Sequence, residues 1–129
     1  MKKFILLIIA MFLISCSDND DDNNSIESDK IIGEWYLYKD IDLEDNSVEL
    51  YELSDSDIEK ITFSSNGILL ISFSEEGLNI SFDGTWVNSG SDNYKLTLGE
   101  ETITLKFTFI SNDEMKTNDG DYESYYKRI

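Results

Sequence analysis

From Ile31 onward the chain alternates apolar and polar residues over most of its length. Residues 102–109, TITLKFTF, show it best: Ile103, Leu105, Phe107 and Phe109 fall on one face, and Thr102, Thr104, Lys106 and Thr108 on the other. A period of two marks a half-buried β-strand. Residues 78–86 repeat the pattern, with Leu78, Ile80, Phe82 and Trp86 inward and Asn79, Ser81, Asp83 and Thr85 outward. Tyr94, Leu96 and Leu98 continue it. Eight strands are predicted, near 31–39, 59–64, 68–74, 78–87, 93–98, 102–110, 113–117 and 122–129.

The connections are short and rich in Gly, Asn, Asp and Ser, the residues that tolerate tight turns. Ser64-Ser65-Asn66-Gly67 carries an Asn-Gly dipeptide suited to a hairpin, and Asn118-Asp119-Gly120-Asp121 is read as a hairpin turn in preference to a metal loop. Short antiparallel strands in sequence, each with one apolar face, predict an all-β, up-and-down antiparallel barrel of eight strands, which removes open sheet edges. Its apolar face belongs inside, because most strands are shorter than the 9–11 residues a membrane-spanning stave needs. Residues 40–58, DIDLEDNSVELYELSDSDI, break the pattern. They are read either as a lid or as a surface excursion pinned by its own apolar residues, with a short helix expected near 54–60.

The hydrophobic pattern of the N-terminus differs. Lys2 and Lys3 precede an unbroken apolar run over residues 4–14. As a helix the run spans about 16 Å against a hydrocarbon core of about 30 Å, too short for a permanent span but right for a signal-peptide core. The run ends in Leu13-Ile14-Ser15-Cys16, which resembles the bacterial lipobox. The resemblance implies diacylglyceryl transfer to the Cys16 thiol and cleavage before it. Residues 1–15 are then a lipoprotein signal peptide. Residues 16–30 are the lipidated cysteine and an acidic, disordered tether, and 31–129 are the barrel. The tether sequence SDNDDDNNSIESDK is either a solvated spacer or an address: an acidic run after the lipidated cysteine resembles the surface-export signal of lipoproteins in some Gram-negative bacteria. The expected location is the outer membrane, facing the periplasm or exported to the cell surface.

Composition narrows the partners. The 129 residues hold 27 acidic and 10 basic side chains and no histidine, a formal charge of −17. Nucleic acid is excluded as a partner, since binding it takes clustered Lys and Arg. Without histidine a Ser-His-Asp triad and a His-rich zinc site are impossible. Cys16 is the only cysteine, and the lipobox reading commits it to lipid. No enzyme activity, cofactor or metal site is expected, and the chain is expected to be monomeric.

Gly33-Glu34-Trp35, in the first predicted strand, resembles the Gly-x-Trp motif of the lipocalins. Arg128 in the last strand, with Lys127 as the alternate, offers the basic residue that in lipocalins packs over that tryptophan. The motif also occurs at Gly84-Thr85-Trp86, but only the first copy has the expected position. The resemblance covers residues 31–129 and is nearest to short lipocalin-like lipoproteins of Gram-negative bacteria. It implies a barrel closed at one end by Gly33, Trp35 and Arg128 and open at the other. The second lipocalin motif is missing and the chain is short, so a small or closed cavity is expected.

Two functions follow. The barrel can hold a small hydrophobic or amphiphilic ligand against Phe63, Ile71, Phe73, Ile80, Phe82, Leu96, Leu105, Phe107 and Phe109. Alternatively these side chains fill the core, and the protein acts as a non-enzymatic interaction or scaffold lipoprotein through its acidic surface. An eight-stranded barrel is just wide enough for either.

Overall fold

The computed structural model describes residues 29–129. The expected signal segment 1–15, Cys16 and the expected tether as far as residue 28 lie outside the described residues. Among the described residues there are nine strands and no helix: β1 Gly33–Asp42, β2 Val48–Leu50, β3 Glu59–Phe63, β4 Ile68–Glu75, β5 Leu78–Gly90, β6 Asn93–Leu98, β7 Glu101–Ser111, β8 Glu114–Asn118 and β9 Tyr122–Arg128. Eight of them form the ring, in the order β1-β3-β4-β5-β6-β7-β8-β9, and a β1–β9 pairing closes it. Every pairing is antiparallel. The predicted eight-stranded up-and-down barrel is therefore the observed one, and β2 is an addition to it.

The alternation dictates the packing. On β7, Thr102, Thr104, Lys106 and Thr108 are exposed, while Phe107 is buried among the core rings. The outward row is polar, the reverse of a barrel that faces lipid. The core runs from Ile31 to Tyr126 and includes Trp35, Leu37, Phe63, Leu69, Ile71, Phe73, Trp86, Tyr94, Leu96, Phe107 and Met115. The ring closes within the described residues.

The excursion between β1 and β3 corrects one expectation. No helix forms over 54–60; Glu59 and Lys60 open β3 instead, paired with Phe73 and Ser72 of β4. A single helical turn is marginal by itself, whereas the strand gains a ladder and buries Ile61 and Phe63. Residues 48–50 form β2, a hairpin arm on the second half of β1 (Lys39↔Leu50, Asp40↔Glu49, Ile41↔Val48). β3 covers only the first half, from Gly33↔Phe63 to Tyr36↔Lys60. β1 thus changes neighbours midway.

At that point β1 is also irregular against β9. The register runs Leu37↔Tyr126 and then Lys39↔Tyr125, leaving Tyr38 as the extra residue of a bulge. A bulge re-aims the side chains that follow it. Before it the odd positions Trp35 and Leu37 are buried. After it the even position Asp40 meets the buried Ser124.

Candidate functional site

The starts of β1, β4, β6 and β8 mark one end of the barrel. Trp35 is fully buried there, and its indole Nε1 donates to the Ile31 carbonyl at 2.8 Å. The Arg128 guanidinium lies 4.1 Å from the Trp35 ring centre. It also donates from Nη1 to Ile32 O (2.6 Å), from Nη2 to Lys30 O (2.9 Å) and from Nε to Asn112 O (3.0 Å). Lys127, the alternate, points outward over Tyr38 instead. Gly33 has a φ of +143°, and a Cβ there would lie 2.2 Å from Arg128 Nη1, so neither the backbone nor the stacked guanidinium leaves room for a side chain.

Asp29 and Lys30 join this end, two residues before the expected boundary of the barrel. Asp29 Oδ1 accepts from Tyr94 Oη at 2.7 Å and from Ile31 N at 3.0 Å. Lys30 pairs with Asp92 at 2.7 Å. The second Gly-x-Trp copy is structural in its own way. Trp86 is buried and donates to Ser64 O at 3.0 Å, and at Gly84 a Cβ would lie 2.0 Å from Thr97 O, so only glycine lets β5 approach β6 so closely.

Above this closed end the barrel is filled with rings. Phe63 sits edge-on to Trp86 (5.7 Å between centroids) and to Phe107 (5.8 Å), and Phe107 in turn meets Tyr94 at 5.8 Å. Trp35 and Phe109 also meet edge to face. Of the nine expected lining residues, Phe63, Phe107 and Phe109 therefore belong to this packed half. Ile71, Phe73 and Leu96 are buried at mid-height.

Towards the other end the same inward rows become exposed. Ile80 and Leu105 are half-buried, and Phe82 is 46% exposed although its ring meets the buried Phe73 edge-on at 6.2 Å. Leu78, next along that row, is 65% exposed, while Leu98 and Ile103 beside them are half-buried. The expectation of a lining set is thus split. Ile80, Phe82 and Leu105, with Leu98 and Ile103 added, form an apolar wall on β5, β6 and β7 that solvent reaches. The rest is core.

The opposite wall, built by β3, β1 and β9, is polar, and alternation alone did not reveal it. Glu59 opens β3 and is 1% exposed. Its Oε1 accepts from Tyr126 Oη at 2.9 Å, and its Oε2 has no hydrogen-bond partner. Burial pushes the Glu59 carboxyl up to about 7, against the Tyr126 hydrogen bond, which favours the ion; the nearby Asp40 raises it further. Asp40 accepts from Ser124 Oγ at 2.7 Å, and burial raises it too. Asp42 accepts from Tyr122 Oη at 3.1 Å. Asp119, in the β8–β9 turn, adds charge near Asp40.

The lysines of these strands point the other way. Lys39 lies 3.6 Å from the Tyr125 ring centre, Lys127 lies 4.3 Å from that of Tyr38, and Lys116 pairs with Glu123 at 3.1 Å, all on the outer face. The Tyr38 hydroxyl donates to Glu114 there, and burial followed by that carboxylate raises its pKa. Among the described residues, then, neither Asp40 nor Glu59 has a lysine or arginine as ion-pair partner. Nor do three acidic groups cluster at metal-binding distances. One signal could have found this wall: Glu59 occupies an inward position of the strand pattern Glu59, Ile61, Phe63.

No protein-family model matches the chain, and a search of curated proteins finds no match. Solved structures do resemble it. A lipocalin-like protein from Bacteroides uniformis superposes with a TM-score of 0.62 at 16% identity, over 78% of this chain and 100% of that one. An uncharacterized protein from Bacteroides eggerthii superposes with a TM-score of 0.60, also at 16% identity, over 76% of this chain and 98% of its own. At that identity the likeness is one of fold: the chain has a lipocalin-like barrel, closed at the Trp35 end.

Proposed function

We propose that the protein is a lipid-anchored, lipocalin-like binding protein of the Gram-negative outer membrane, holding a small hydrophobic or amphiphilic molecule in the upper half of its barrel. The observation that supports the ligand is the graded exposure of the inward rows. A barrel filled throughout would bury Phe82 and Ile80 as it buries Phe73. Instead an apolar wall stands open to solvent, and exposed inward apolar surface is a site for a ligand. The test is saturation of an environment-sensitive apolar probe by residues 17–129, with displacement by unlabelled ligand. Linear, non-competable fluorescence would reject the reading in favour of the interaction lipoprotein, for which the packed lower half is the supporting observation.

The anchor rests on Leu13-Ile14-Ser15-Cys16. The tether enters the barrel at Asp29, on the closed end, so the anchor is attached at the end opposite the mouth. Cys16→Ala should release the protein from the membrane fraction. Retention after a carbonate wash would rule out lipid attachment at that residue. The acidic run 18–22 is assigned to sorting toward the cell surface. Replacing its aspartates with alanine should reduce digestion of the protein on intact cells without unfolding the barrel.

A further inference from the structure

The upper interior has two unlike walls. One is apolar: Ile80, Phe82 and Leu105, half-buried or exposed. The other carries Glu59 and Asp40, two acids with no cation opposite them among the described residues. The walls are contiguous. Glu59 pairs across β3–β4 with Phe73, and Phe73 meets Phe82 edge-on. A path therefore runs from the exposed phenyl ring, past one buried ring, to the buried carboxyl.

The chemistry of the polar wall is one-sided. Tyr126 and Ser124 already spend their hydroxyl protons on Glu59 and Asp40. Two buried carboxylate oxygens have no hydrogen-bond partner among the described residues, Asp119 Oδ2 in the β8–β9 turn and, on this wall, Glu59 Oε2. An ionised carboxylate accepts hydrogen bonds and cannot donate them, so the missing partner is a donor. Removing that oxygen from water is costly unless something replaces the water. A neutral apolar ligand leaves it unpaired, and an anion adds repulsion. Among the described residues no group of three acids stands at metal-binding distances. A protonated nitrogen supplies both the donor and the charge.

We propose that the site takes a small amphiphilic amine, its ammonium group against Glu59 and Asp40 and its hydrocarbon or aryl body against Phe82, Ile80 and Leu105. This rests on the ligand-binding reading above and adds the headgroup. The acids are held on strands rather than loops, Glu59 at the head of β3 and Asp40 just past the β1 bulge, so the distance from charge to apolar wall is built into the barrel.

Three eight-carbon compounds separate the headgroup from the body: octylamine, 1-octanol and octanoate. Each is titrated into residues 17–129 by calorimetry at pH 8. Octylamine is expected to bind saturably and about ten-fold or more tighter than octanol, with octanoate weakest. Glu59→Gln should bring octylamine down to the level of octanol and leave octanol unchanged. Asp40→Asn should do the same in part, and it serves if Glu59→Gln does not fold. Octanol or octanoate binding as well as octylamine, or an amine preference that survives both substitutions, would overturn the headgroup assignment and leave the pocket standing. No saturable binding of any of the three by folded protein would overturn both.

Discussion

Replacing Glu59 by glutamine should make the protein more stable at pH 8 and change it little at pH 5. The native carboxyl is raised from 4.5 to about 7 because it is buried. Below pH 4.5 it is protonated in both native and unfolded chains and contributes no pH dependence. Between 4.5 and 7 the native form keeps the proton that the unfolded chain has lost, so stability falls as pH rises. Above 7 both are ionised, and the full penalty of a buried charge remains. A shift of this size corresponds to about 3 kcal/mol, at about 1.4 kcal/mol per pH unit. Asp40, also raised, acts in the same direction. Glu123, lowered by the Tyr125 and Lys116 hydrogen bonds, acts oppositely and only at lower pH, where its stabilisation is lost as it protonates.

Glutamine keeps the shape and can still accept from Tyr126, so its pH profile should be flatter by the Glu59 contribution alone. Urea unfolding followed by the fluorescence of Trp35 and Trp86, both buried, reads the difference. With a urea slope of about 1–3 kcal/mol per M, the variant midpoint should lie about 1–3 M higher than wild type at pH 8. Self-repulsion among the surface acids affects both proteins equally and cancels. Parallel profiles between pH 5 and 8 would refute the argument, because they would mean that Glu59 carries no buried charge.

Trp35→Ala should cost about 3–5 kcal/mol as a large buried ring is lost, and Arg128→Ala should cost less. A double-mutant cycle by urea unfolding should find the pair coupled, since contacting residues are not additive; additive losses would refute the stack. Gly33→Ala should destabilise the barrel by displacing the Arg128 guanidinium, and a melting temperature equal to wild type would contradict that geometry. Gly84→Ala should also destabilise, because the neighbouring atom is the Thr97 backbone oxygen, which has no rotamer to yield; an unchanged urea midpoint would count against it. Phe82→Ser should leave the melting temperature nearly unchanged while weakening apolar probe binding several-fold. Unaltered probe affinity would remove Phe82 from the site.

Local pattern was enough for the eight staves, since a period of two is written in the residues themselves and each turn carries its own Gly, Asn or Asp. The lipocalin resemblance placed Gly33 and Trp35 in the first stave and Arg128 in the last, which an antiparallel ring brings together, and the stack forms there. Phe63, Phe107 and Phe109 show the limit of that reading. Alternation sends them inward, but whether an inward residue is packed or open depends on its height in the barrel and on the rings that neighbouring strands bring to the same level. The polar wall was hidden for a related reason. Asp40 lies in a stretch that reads as an acidic loop, and it turns inward because β1 exchanges β3 for β2 on one flank and bulges at Tyr38 on the other. Glu59 looks like a surface acid beside Lys60, yet ring closure brings β9 near enough for Tyr126 to bond it. Alternation can be read along one strand; which side chains share the interior is decided by pairings between residues as far apart as Trp35 and Arg128, and those exist only once the ring has closed.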